Sequence, residues 1–150
     1  MTDSKPKQII AALQTLVATM TTPTYHYASA NRVYRGRRDF DWYDTASFPV
    51  WSVFGFQSNV EQVLLNNKQD FVLQAAIEAH AVPTDLDNPA DTGNDLIGDI
   101  VKLIKSSDTT LGGLCSLQIE ESTNFQIELP EPGELIVSVR FVTPIHYREV

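Results

Sequence analysis

Phe71-Val-Leu-Gln-Ala-Ala-Ile-Glu-Ala-His-Ala-Val82 is the stretch on which the fold turns. Phe71, Leu73, Ala75, Ile77, Ala79 and Ala81 alternate along one side, while Val72, Ala76, Glu78 and His80 fall on the other. A period of two belongs to a strand, because successive side chains leave opposite faces of a pleated sheet. The alanines leave a helix open, since alanine is the strongest helix former.

Downstream, Pro83 to Thr92 is rich in Pro, Asp and Asn and reads as a loop. A helix is expected from about Thr92 to Ser107, with Leu96, Ile97, Ile100, Val101 and Ile104 as its buried stripe. Asp91 and Asp95 lie near its start and Lys102 and Lys105 near its end, as the helix dipole favours. Gly112-Gly113 gives the backbone freedom for a turn. Cys115, Leu117 and Ile119 alternate with Ser116, Gln118 and Glu120 as in a half-buried strand. Pro130–Gly133 is a turn, and Leu135, Val137, Val139 and Phe141 open a last long strand.

Upstream, Asn66-Asn67-Lys68 and Gln57-Ser58-Asn59 are turn signals that bracket a short strand at Val60–Leu65. Pro49 opens another strand, Val50 to Phe56, dominated by bulky β-formers. Tyr25 to Phe48 is irregular, aromatic and charged, with room for a short strand at Arg32–Arg35. Lys5 to Met20 reads as an amphipathic helix through Ile9, Ile10, Leu13, Leu16, Val17 and Met20. Asp3 or Ser4 can cap it, and Thr21-Thr22-Pro23-Thr24 ends it.

The order of helix, several strands, helix and two strands implies an α+β fold, a mostly antiparallel sheet with two main helices packed on one face. The 150 residues are read as one domain, which at this length hides roughly 70% of the extended chain's surface. No apolar span approaches a membrane helix, and Met1-Thr2-Asp3-Ser4-Lys5 lacks the apolar core of a signal peptide. The lone Cys115 excludes an intramolecular disulfide and fits a reducing cytoplasm.

The net charge of −8 is unevenly placed. Residues 1–84 hold seven acids and seven bases, whereas 85–150 hold twelve acids and four bases. A domain so charged is poorly built to hold DNA through its phosphates. It suits a channel wall that DNA passes without sticking.

Two clusters invite a functional reading. In Arg32-Val-Tyr-Arg-Gly-Arg-Arg-Asp-Phe-Asp-Trp-Tyr-Asp44, four of the six arginines fall within seven residues. Arg32, Tyr34, Arg35, Arg37, Arg38, Phe40, Trp42 and Tyr43 combine planar donors with large rings, the composition of an interface hot spot. A solvated loop is the next reading, and a nucleic-acid patch at Arg32–Arg38, which Asp39, Asp41 and Asp44 would partly neutralise, the last.

The second cluster is the acidic series Asp85, Asp87, Asp91, Asp95 and Asp99. A calcium loop starting at Asp85 needs Gly sixth and Glu twelfth, but Ala90 and Leu96 stand there. The series therefore reads as a solvated acidic face, in functional terms a channel-facing surface. A metal-dependent hydrolase built on these carboxylates is a distant third reading. His26, His80 and His146 occupy separate elements, and no Cys-x-x-Cys, phosphate loop or Gly-x-Ser-x-Gly elbow occurs. Catalytic residues, metals and cofactors are therefore not expected.

Two stretches together resemble the tail-terminator (tail-completion) proteins of long-tailed bacteriophages. One runs from helix Asn94-Asp-Leu-Ile-Gly-Asp-Ile-Val-Lys-Leu-Ile104 through Asp108-Thr-Thr-Leu-Gly-Gly-Leu114 and strand Cys115–Glu121 to strand Glu134–Tyr147. The other is the N-terminal helix leading through Phe48-Pro49-Val50-Trp51 into the central sheet. The resemblance implies a structural virion protein, assembled in the host cytoplasm, that forms a hexameric ring on the finished tail tube. Its implied partners are further copies of itself, the tail-tube protein and a head-completion protein at the neck, with DNA only as passing cargo. A head-completion or stopper protein is the nearest alternative, and a small nucleic-acid-binding protein the alternative from another class.

Overall fold

The computed structural model describes residues 3–36, 48–63, 69–107, 109–117, 119, 124–132 and 134–149. Its elements are α1 (Lys5–Val17), β1 (Val33–Arg35), β2 (Val50–Val63), β3 (Gln69–Ala81), α2 (Pro89–Ser106), β4 (Asn124–Glu128) and β5 (Val137–Glu149). The strands form one sheet in the order β1-β2-β3-β5-β4, with β1 parallel to β2 and every other pair antiparallel. The fold is α+β with a mostly antiparallel sheet.

The stretch 71–82 resolves as a strand because it lies in the middle. β3 pairs along its whole length with β5 and nearly as far with β2, so its backbone groups are satisfied by ladders, and from Ala75 to Ala81 both of its faces are buried. Register sets Val53, Ile77 and Phe141 side by side, and Trp51, Ala79 and Val139 in the next row. Both rows face the helices: they share one core with Ile9, Leu13 and Val17 of α1 and Leu96, Ile100 and Leu103 of α2. Alanine beside Trp51 lets a large side chain seat against a small one, as close packing demands.

Several expectations change. The sequence splits 50–65 into two strands about a turn at Gln57-Ser58-Asn59, but β2 is continuous to Val63. Irregularities at Gly55/Gln57 and Val60/Gln62 each insert a residue. Before the first, Trp51 and Val53 of β2 face the core; after it Ser58, though exposed, lies on that side beside Leu73, its Oγ 2.8 Å from Tyr147 Oη. The phase shift hides the strand from a period-two reading and leaves Phe56 exposed. Gly55 sits where a Cβ would come within 2.8 Å of Leu73 Cδ1. Leu64 and Leu65 lie outside the described residues.

Cys115, Ser116, Leu117 and Ile119 are not in a strand. Leu111, Gly112 and Gly113 adopt φ of 53°, 69° and 88°, and the chain then continues through turns and bends. Cys115 N–H donates to the Thr110 carbonyl, Ser116 N–H to His146, and Ile119 N–H to Thr109 Oγ1. Cys115 and Ile119 are buried as the alternation implies, but Leu117 between them is 58% exposed, because turns and bends rather than a strand carry them. The partner of β5 is instead β4, five residues that no sequence pattern announces. β5 starts at Val137, and Leu135 before it is exposed rather than core.

α1 stops at Val17 rather than Met20, and α2 starts at Pro89 rather than Thr92. The end of α1 is closed by buried Ser29, whose Oγ donates to the Val17 carbonyl at 2.6 Å and accepts from Met20 N–H at 3.1 Å. Ser4 holds the N-cap position without a side-chain bond, while Asp3 pairs with Lys7 at 2.8 Å.

Candidate interaction surfaces

The Arg/aromatic segment enters the structure as an edge of the sheet. Val33–Arg35 pair with Trp51–Val53, and Trp51 N–H donates to the Arg32 carbonyl. Gln14 of α1 fixes this edge from behind: its amide nitrogen donates to the Val33 carbonyl at 2.9 Å, and its oxygen accepts Arg35 Nε at 2.8 Å. Arg32 Nη1 donates to the Phe48 carbonyl at 3.1 Å. Gly36, just after β1, has φ 80°. Tyr34 is half-buried and Arg35 exposed. Arg37, Arg38, Phe40, Trp42 and Tyr43 lie outside the described residues.

The acidic series does not form one solvated face. Asp85 and Asp87 sit in the exposed loop before α2, where Asp85 accepts the Asn88 amide at 3.0 Å and Asp87 N–H at 2.9 Å. These bonds, the Asn88 bond foremost, hold the Asp85 carboxyl below its ordinary range. Asp91 is exposed in the first turn. Asp95 is partly covered, 3.5 Å from His26 Nε2.

Asp99, expected in solvent, is buried. It accepts His26 N–H at 2.9 Å and Tyr27 N–H at 3.1 Å, and lies 2.9 Å from His26 Nδ1. The irregular chain after α1 has no ladder to take these amides, so a carboxylate on α2 takes them instead. Lys102, on the same side of α2, donates to the Thr24 carbonyl at 2.7 Å. Ser106 lies 3.4 Å from Tyr25 Oη, so one flank of α2 clamps residues 24–27. Burial, reinforced by Asp95 and Asp99, raises the Tyr27 phenol above its ordinary value despite an opposing Thr92 hydrogen bond.

A third group, unforeseen in the sequence, lies on the sheet face away from the helices. His80 and Ser138 are directly opposed on β3 and β5, with Nδ1 and Oγ 2.7 Å apart. Glu78 approaches His80 Nε2 at 3.7 Å and Arg140 Nε at 3.6 Å. Arg140 covers the Phe54 and Phe56 rings at 6.0 and 5.5 Å. Glu78 and His80 two apart on one strand were visible in the sequence; the register that adds Ser138 and Arg140 was not. Serine, histidine and glutamate here invite comparison with a nucleophile triad. The serine lies in mid-strand between two ladders, however, where backbone N–H groups are committed to neighbours and none is aimed at an oxyanion. The cluster is read as cross-strand pairing of buried polar groups.

Among the described residues, no group of His, Cys, Asp and Glu is placed to hold a metal ion. No helix among them is long and apolar enough to cross a membrane. No protein-family model matches the chain, and no curated protein matches it.

Proposed function

We propose that this chain is a structural protein of a tailed-phage neck, a ring subunit of the tail-terminator type that caps the tail tube, stops its growth and presents the joining surface for the head. The observation that carries the reading is architectural. α2, the left-handed turn at Leu111-Gly112-Gly113, the short strand β4 and the long strand β5 follow one another in the stretch that resembles tail terminators, with β4 closing the hairpin where a strand from Cys115 was expected. The sheet they complete ends in two unlike edges, β1 and β4. A cyclic ring needs such a pair, since each subunit must offer two different patches to its neighbours.

Charge supports the same reading over a nucleic-acid regulator. The described arginines at the β1 edge bond to protein groups, Arg32 to Phe48 and Arg35 to Gln14, and residues 85–150 carry the whole −8. Asp85, Asp87 and Asp91 stay exposed, and carboxylates on a channel wall would keep passing DNA from adhering. The test is a growth assay on tail tubes assembled from the cognate tube protein. Added chain is expected to co-sediment with tubes and fix their length; tubes that keep lengthening, with the chain in the supernatant, refute the reading.

A further inference from the structure

We propose that one end of the sheet, where the loops 82–88 and 129–136 emerge beside the start of α2, docks a different protein whose basic surface carries apolar side chains. Within the ring reading this end is a joining surface offered to another neck protein. For that identity alone the inference rests on the reading above, and the surface itself is tested without a tube.

Register brings the two loops to the same end. Ala81 and Val137 are opposed where β3 finishes and β5 begins, and Glu128 and Ser138 where β4 finishes. Thr84 N–H donates to Thr92 Oγ1 at 3.2 Å, which fastens the first loop to α2. The first turn of α2 seats on these strands, since a Cβ at Gly93 would lie 3.0 Å from Ile127 Cγ2 and 3.3 Å from Val137 Cγ1. Val82, Leu86, Ile127, Leu129 and Leu135 are exposed here, Leu86 and Leu135 most, at 69% and 60%. Elsewhere among the described residues, only Phe56, Val60 and Leu117 are exposed large hydrophobics. Apolar exposure gathered at one end marks an interaction surface, whereas scattered exposure would need no explanation.

Charge decides what covers it. Asp85, Asp87 and Asp91 on one side and Glu128, Glu131 and Glu134 on the other are exposed. Residues 81–101 and 106–139 contain no Lys, Arg or His to offset them. Such a surface repels nucleic acid and anionic lipid, and two copies of this end repel one another. A basic protein surface is attracted, and its apolar side chains take the exposed leucines out of water. Lys7, Arg32, Arg35, Lys102 and Arg148 of this chain already bond Asp3, the Phe48 carbonyl, Gln14, the Thr24 carbonyl and Asp70. That favours a different protein over a second copy as the occupant.

The test titrates a lysine–leucine amphipathic peptide into the isotope-labelled chain while its amide resonances are followed. Saturable shifts confined to residues 82–93 and 127–136 are expected. Leu86→Ser/Leu135→Ser and Glu131→Gln/Glu134→Gln change exposed positions only, and circular dichroism checks that each variant folds. Each is expected to weaken peptide binding by about tenfold, as is serine in place of leucine in the peptide. The absence of saturable binding overturns the docking end. Shifts that spread to other acids such as Asp3 overturn it too, as does an affinity that follows the glutamates alone. Wild type that associates with itself through these residues also overturns it, because the occupant is then a second copy. None of these results bears on tube capping, which the growth assay judges separately.

Discussion

Asp99 and His26 are joined twice: the buried carboxylate accepts the backbone N–H of His26 and lies within hydrogen-bond reach of the same residue's ring Nδ1, each at 2.9 Å. This ties the loop after α1 to a helix 73 residues later. Replacing Asp99 by Ala removes the acceptor of the amides of exposed His26 and half-buried Tyr27, at a net cost of about 0.5–1.5 kcal/mol per hydrogen bond lost. Urea titration should record that loss, and amide exchange at His26 and Tyr27 should accelerate more than in β3. Unchanged exchange at both amides would show that the clamp is not what holds the loop.

Tyr27 is expected to contribute to the alkaline limb of stability. Burial, foremost, raises its phenol pKa above the ordinary value near 10. The unfolded chain therefore loses this proton first, so the contribution is complete below that value and falls away as pH climbs through the folded pKa. Urea midpoints measured across alkaline pH should decline less steeply for Tyr27→Phe than for wild type. Parallel declines would assign the limb to other groups.

Glycine substitutions should act with opposite signs. Gly113 has φ 88° and open space where a side chain would stand, so Gly113→Ala meets only backbone strain, about 1–2 kcal/mol of destabilisation. Gly98 lies exposed within α2 with equally open surroundings and a helical backbone, so Gly98→Ala should stabilise by about 0.5–1 kcal/mol. Thermal melts of the two variants read both signs directly.

Ala79→Leu tests why the central strand is rich in alanine. Ala79 is fully buried between Trp51 and Val139. Overpacking there should cost about 1–3 kcal/mol by denaturant unfolding. A neutral substitution would mean that the helices do not close onto this row.

What was legible in the sequence follows from periodicity. Ile9, Leu13 and Val17, Leu96 and Ile100, and Val139 and Phe141 repeat at the spacing of one buried face, and each is in the core. β2 broke that rule at its irregularities, where the alternation changes phase within a single strand. β4 is short and lies at an edge, with Gln126, Ile127 and Glu128 all exposed, so no alternating pattern marks it. Asp99 escaped for a different reason. Its burial depends on amides 73 and 72 residues away in sequence, and helical spacing among Asp91, Asp95 and Asp99 carries no record of them. The same holds for His80 and Ser138, which only strand register brings together.

The central claim is that this chain closes a ring on the end of a tail tube, and imaging of capped tubes tests it most directly. Negative-stain averages of the tube end, viewed along the axis after adding purified chain, should show a six-fold cap on one end only. Bare ends with the chain dispersed in the background would contradict the account, as would binding along the tube wall.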